Sequence, residues 1–273
     1  ALPNAAEAFR CFEPYEDLQE YARAAAWYPQ SCEDEVVRML AELRRRTPEF
    51  PDDREAAFNA EQNALVAKNA EHYYRIMGRG DRESWNVRDR HMVETLERLV
   101  QHHGPRARAI VWEHNTHIGD ARATDMAAAG MVNVGQLVRE EHARDDVVIV
   151  GFGSYRGSVI AGRAWDAPMQ RMPVPPAREG SWEDVFHRAG QRERMLICDE
   201  GMRSDLWRPR RGHRAIGVVY HPQLERHGNY VPTVLPDRYD AFLYLDETEA
   251  LHPLHVPPDF KRKEVPETFP TGV

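Results

Sequence analysis

Through its first hundred positions the chain repeats apolar residues at helical spacing, and beyond them it changes to short unbroken apolar runs. Ser31, Glu33 and Glu35 lead into Val36, Val37, Met39, Leu40 and Leu43, and Arg44, Arg45 and Arg46 follow. An acidic start and a basic finish both complement the helix dipole, so the spacing predicts a helix that Pro48 and Pro51 end. A longer helix is predicted over 54–77, where Phe58, Leu65, Val66, Tyr73, Ile76 and Met77 recur near the helical period and Gly78 and Gly80 close it. Gln62 and Asn69 fall on the same face. They either line a polar cavity or bond each other and the adjacent backbone. A third helix, over 84–103, places Trp85, Asp89, Met92, Leu96 and Leu99 on one side and ends at Gly104 and Pro105. Arg88 and Asp89 sit in its early turns, where a ligand can reach.

From residue 107 the texture becomes α/β. The runs 109–112, 147–152, 158–161, 195–198, 215–220 and 241–245 read as strands, and 134–142 and 182–189 as helices between them. The Pro-rich stretch 166–180 reads as a loop and the tail from Pro257 as an arm. This divides the chain into a helical domain over 1–80, an α/β core carrying active-site loops over 81–256, and a C-terminal arm over 257–273.

Charge excludes some partners. A net charge of -8 and a pI near 5.9 give no electrostatic reason to expect nucleic acid or an anionic membrane. The one basic stretch, Arg203 to Arg214 around Trp207 and Pro209, is interrupted by Pro and Gly and reads as a solvated loop, with anion binding as the alternative. Cys11, Cys32 and Cys198 are few, odd in number and widely spaced, so neither a disulfide framework nor a metal knuckle is expected, and a reducing cytoplasm fits best. No apolar run approaches membrane-span length. The chain opens on Ala1 rather than Met, which points to processing or to a fragment.

The densest chemistry is Trp112-Glu113-His114-Asn115-Thr116-His117-Ile118-Gly119-Asp120, directly after the first predicted strand. Ligands collect at the carboxyl ends of strands in α/β sheets, because the strand fixes the origin of a loop that is free to present side chains. Two imidazoles, an amide, a hydroxyl and a carboxylate gather there. Hydrogen bonds to neighbouring carbonyls are the alternative use of either imidazole. A zinc site on His114 and His117 lacks a third ligand unless Asp120 or Asp125 supplies it, and the HExxH pattern fails in spacing. Gly151-Phe152-Gly153-Ser154-Tyr155-Arg156-Gly157 misses the nucleophile elbow and reads as a tight connection between two strands. Arg88 is either a fixed guanidinium for a carboxylate or oxyanion, or a partner in a local ion pair with Asp89.

Taken in order, Trp85-Asn86-Val87-Arg88-Asp89-Arg90-His91-Met92, the segment from Val111 to Ala121, Asn133-Val134-Gly135-Gln136-Leu137, Val150-Gly151-Phe152-Gly153 and Arg214-Ala215-Ile216-Gly217-Val218-Val219-Tyr220 resemble the erythromycin esterase family, which includes succinoglycan biosynthesis homologues. The likeness runs from about residue 8 to about residue 255. It implies a partial Rossmann-like α/β core with an inserted all-helical domain and a smaller α+β part. It also implies metal-independent hydrolysis of a small-molecule ester or lactone by activated water, without a cofactor. His114 matches the first histidine of the family's second active-site motif, His117 its companion and Arg88 the arginine of its helical motif. The implied roles are hydrogen-bond donation or proton delivery by His114, charge holding by Arg88, and orientation by Asn115 and His117. Glu113, Asn86, Asp89 and Tyr74 are the further candidates for the substrate cleft. The family's general base, a His in an upstream Gly-Glu-x-x-His-Gly motif, has no counterpart here, and Glu225-Arg226-His227-Gly228 only echoes it. The expectation is therefore the C-terminal two-thirds of a longer hydrolase. The resemblance leaves the oligomeric state open.

Overall fold

A computed structural model describes residues 2–27, 31–46, 53–77, 81–165, 167–190 and 193–251. Pro48, Pro51, Gly78, Gly80 and the C-terminal arm lie outside the described residues. The chain forms two compact units: Ala1–Val111 with Ala129–Leu137, and Trp112–Ala128 with Val138–Val273.

The first unit is helical. It holds α1 (Pro3–Phe12), α2 (Leu18–Trp27), α3 (Glu33–Arg46), α4 (Arg54–Met77) and α5 (Asp81–His103), as well as the start of α7 (Val134–Glu141). Leu40, Ala64 and Leu65 bury the seam between α3 and α4, with Met39 and Leu43 against them. Asn69 turns to α5, its amide 2.8 Å from His91 Nδ1 and donating to Glu94 at 3.4 Å, so it bonds side chains of the next helix rather than Gln62 and the adjacent backbone. Deeper in, the Tyr21 hydroxyl donates to Glu71 at 2.6 Å and accepts the Cys32 amide at 3.0 Å, while Arg75 pairs Glu71 at 2.8 Å and Glu33 at 3.0 Å. Glu71 is 1% exposed, and these partners offset the cost of burying its charge.

Cys11 and Cys32 form a disulfide, with Cα atoms 5.8 Å apart. This corrects the sequence reading, which expected none. The two cysteines are 21 residues apart, and only the fold-back of α1 and α3 brings them together. A cytoplasmic location, which rested on unpaired cysteines, loses that support. Closing a loop of 21 residues is worth about 3 kcal/mol through the unfolded state. Reduction, or the Cys11→Ala/Cys32→Ala pair, should lower the thermal midpoint of the helical unit accordingly; a midpoint unmoved by dithiothreitol would show that the bond adds nothing.

The second unit is built on a mixed four-stranded sheet ordered β2-β1-β6-β3: β1 (Val150–Ala161), β2 (Gln170–Val174), β3 (Glu193–Ile197) and β6 (Ala241–Thr248). β1 runs parallel to β6, and β2 and β3 flank them antiparallel. A second pair joins β4 (Arg211–Arg214) to β5 (Tyr230–Thr233). The core gathers Ile149, Leu235, Tyr239, Phe242 and Tyr244 with Trp182 and Phe186 of α8 (Trp182–Arg188), a helix capped by Ser181, which accepts the Asp184 amide. Among the described residues no helix is long and apolar enough to cross a membrane.

Several strands differ from the sequence reading. Residues 107–113 form none: Ile110 and Trp112 are 95% and 84% exposed, and no strand among the described residues pairs with this segment. β1 runs unbroken through the glycines taken for a turn, because they mark close approach rather than reversal. A Cβ on Gly151 would meet the Tyr239 ring at 2.6 Å, and one on Gly153 the Phe242 ring at 2.6 Å. The supposed loop 166–180 contains β2, an edge strand, where Pro173 is tolerated. In place of a strand over 215–220, the Arg-rich stretch taken as a solvated loop ends in β4 with Arg214 buried.

Candidate active site

The His-rich segment lies in the second unit and forms α6 (Asn115–Ile118), a single turn with His114 at its N-cap. The ring of His114 serves as the cap: Nδ1 accepts the Thr116 amide at 3.2 Å and lies 2.8 Å from the Thr116 hydroxyl. With that lone pair occupied, the ring proton belongs on Nε2, and the ring also bonds the Ile216 backbone. Burial, then the nearby His117, Arg238 and His213, lowers its pKa to about 4. His114 is thus a neutral imidazole at physiological pH.

Asn115 is spent on geometry. Its amide donates to the Phe152 carbonyl at 2.6 Å and its Oδ1 accepts the Phe152 N–H at 3.1 Å, so the side chain extends the edge of β1. The Asn115 carbonyl accepts Arg238 Nη2 at 3.0 Å, and the Asp120 amide donates to the Arg238 carbonyl at 3.1 Å. Arg238 belongs to α10 (Leu235–Arg238) and is fully buried. The next residue, Tyr239, fills the space beside Gly119, where a Cβ would come within 2.8 Å of its ring. His117 is 6% exposed and Glu113 half-buried.

Asp120 is held by two arginines, Arg122 at 2.7 Å and Arg139 at 3.2 Å. Burial would raise its pKa, but the Arg122 hydrogen bonds outweigh this and lower it. That occupancy removes it as a third metal ligand. Among the described residues, neither His114 nor His117 belongs to a trio of ligand atoms gathered within 4.8 Å.

Sequence reasoning missed His213, on β4, and Glu183, on α8. His213 Nδ1 lies 2.5 Å from Glu183 Oε1, which also accepts the Arg214 amide at 3.0 Å, and both side chains are buried. The imidazole's other nitrogen faces the Tyr239 hydroxyl at 3.1 Å and the Asn115 amide at 3.4 Å. Burial lowers the pKa of His213 although Glu183 pulls it up; burial would raise that of Glu183, but His213 and the backbone amides lower it. The consistent state is a carboxylate accepting a hydrogen bond from the Nδ1–H of a neutral imidazole. Neither residue has a motif around it, and each is far in sequence from the His114 loop.

The remaining candidates lie in the helical unit. Asn86 accepts the Val132 amide at 2.9 Å and donates to the Gly130 carbonyl at 3.0 Å; Asp89, 0% exposed, accepts the Val134 amide at 3.2 Å at the start of α7. Both clamp the 130–134 backbone onto α5. Arg88 lies 3.9 Å from Asp89 and 4.9 Å from the centre of the Trp85 ring. Tyr74 packs edge-on against Tyr73 at 5.1 Å.

A folded-state pKa near 4 at His114 has a sign. The unfolded imidazole takes a proton near pH 6.5 and the folded one resists, so stability is complete above pH 6.5 and is lost as pH falls toward 4. The loss should reach roughly 3 kcal/mol from this residue. Urea unfolding at pH 7, 5.5 and 4 should show it, and His114→Asn should flatten the profile by that amount; identical profiles would refute the burial argument.

A family model described as erythromycin esterase matches residues 1–248. Among solved structures, a succinoglycan biosynthesis protein matches at 15% identity with a TM-score of 0.64, over 89% of this chain and 57% of its own. A Bacillus cereus protein matches at 14% identity and 0.68, over 91% and 59%. A mutant of erythromycin esterase EreC in its open conformation matches at 17% and 0.54, over 79% and 52%. The chain thus spans between 52% and 59% of the length of these three, and at such identities the likeness shows the fold.

Proposed function

Because the chain belongs to the erythromycin esterase family, we propose that it takes part in hydrolysing a carboxylic ester or lactone, with His114 as the donor that steadies negative charge on the carbonyl oxygen. The observation supporting this role is the state of the His114 ring, neutral and with its proton on Nε2. When water attacks a carbonyl carbon, the C=O bond becomes an oxyanion, and a donor already aimed at that oxygen gains strength as the charge grows. The Nε2–H, given to the Ile216 backbone in the free protein, would pass to the substrate oxygen. A pKa near 4 suits donation better than general-acid delivery, which needs an imidazolium at working pH.

Asn115 and the buried His117 hold the loop in this reading. The base that takes the proton from water, to be returned to the leaving alkoxide, is assigned to a further segment of the kind by which the similar structures exceed this chain. This sequence contains no Gly-Glu-x-x-His-Gly motif of its own. The direct test is a panel of aryl esters and of small and macrocyclic lactones followed by pH-stat on the purified chain, alone and with any longer form of the protein. Turnover above the uncatalysed rate supports the reading. Lactone binding without turnover in either form would replace it with a binding role.

A further inference from the structure

Among the groups the proposed chemistry does not use, the buried pair Glu183–His213 stands out for where its second nitrogen points. A carboxylate with no solvent contact is costly to bury, and two apolar side chains could join α8 to β4 without that cost. The pair instead presents one imidazole nitrogen, as an acceptor, to Tyr239 and Asn115, the two residues that seat the His114 loop.

We propose that Glu183 and His213 form a positioning dyad that acts through Asn115 and Tyr239 to hold the His114 loop against β1; its catalytic consequence rests on the hydrolase reading above. The chain of contacts is continuous. Glu183 fixes the tautomer by taking Nδ1–H, and that leaves Nε2 as a lone pair. The lone pair receives the Tyr239 hydroxyl and the Asn115 amide. Asn115 clamps both backbone groups of Phe152, and its own carbonyl is tied to Arg238. His114 is the residue just before Asn115. A protonated His213 would turn Nε2 from acceptor to donor against the Asn115 amide and add a cation among Arg214, Arg238 and His114, so the neutral form is the one that seats the loop.

The first readout needs neither a variant nor turnover: long-range proton–nitrogen spectra of the intact chain at pH 7 should show neutral His213 with its proton on Nδ1, and a proton on Nε2 would overturn the dyad. The second uses His213→Asn, whose amide can still donate to Glu183 but carries nothing toward Asn115. Exchange of the Phe152 amide, which donates to the Asn115 side chain, should quicken at least about tenfold while global unfolding protection stays unchanged. Glu183→Gln, which keeps the shape and removes the charge, should mix the two His213 tautomers and serves if the first variant does not fold. Where the wild-type chain turns over an ester, His213→Asn should lower kcat about tenfold at constant KM. Unaltered Phe152 exchange sinks the dyad whatever the kinetics. Faster exchange with no turnover in this chain or in any longer form of the protein leaves the dyad standing and removes the esterase reading instead.

Discussion

Replacing His114 with alanine should lower kcat on the best ester found for the protein by about 100- to 1,000-fold, the usual cost of removing one oxyanion donor. The argument is specific to one nitrogen. Thr116 occupies Nδ1, so only Nε2–H can serve the substrate. Glutamine places an amide N–H near the position of Nε2, whereas asparagine reaches only as far as Nδ1. His114→Gln should therefore recover at least about tenfold over alanine, and His114→Asn should not. An interaction made only as charge develops lowers kcat and kcat/KM together, with KM little changed. The pH dependence makes a second demand. Because the neutral ring does the work, kcat should show no acid limb from His114 until the pH nears 4. Turnover within about threefold of wild type in the alanine variant, or a donor that works only when protonated, would remove His114 from this role.

The helical half of the chain was legible because its information is local. The residues predicted over 54–77 are those of α4, since an amphipathic helix declares itself in consecutive side chains and its termini in caps and breakers. The sheet was less legible where one residue type serves two purposes. Glycines at 151 and 153 read as a turn, yet the space beside them is taken by Tyr239 and Phe242, whose arrival no local pattern announces. Pro173 hid an edge strand for the same reason: whether a missing N–H matters depends on having a neighbour to bond. The Cys11–Cys32 bond is a distance in space between elements whose packing the spacing of cysteines does not encode.

The candidate site divides in the same way. His114, Asn115 and His117 stand within four positions of one another, and that density was itself the signal. Their supports could not be read so. His213 is separated from Asn115 by 98 residues and Glu183 from His213 by 30, and each lies in a stretch with a plausible bland reading of its own. Asn86 and Asp89 show the converse: two polar residues marked for the substrate cleft spend their hydrogen bonds on the 130–134 backbone.

Arg214 carries the largest expected effect on stability. Its side chain is 4% exposed and Glu225, in the short helix α9 (Glu225–Gly228), is 1% exposed; they meet at 2.9 Å. The guanidinium also donates to the carbonyls of Ser154 at 2.8 Å, Tyr155 at 2.9 Å and Pro175 at 2.8 Å, so one side chain ties β4 to β1 and to the end of β2. Glu225 keeps two phenol donors, Tyr220 and Tyr230, when the arginine is gone, but phenols do not neutralise a charge. Arg214→Met should therefore cost about 3 to 5 kcal/mol, the range for removing one partner of a buried pair, and lower the thermal midpoint by roughly 10 °C in a chain of this size. Glu225→Met in the same background should return a large part of that loss, because the orphaned charge rather than the lost attraction dominates the single change. Three carbonyls would still lack the guanidinium donor, so recovery should stop short of wild type. A single variant that unfolds within about 1 kcal/mol of wild type would mean water reaches Glu225, and the buried-pair account would fail with it.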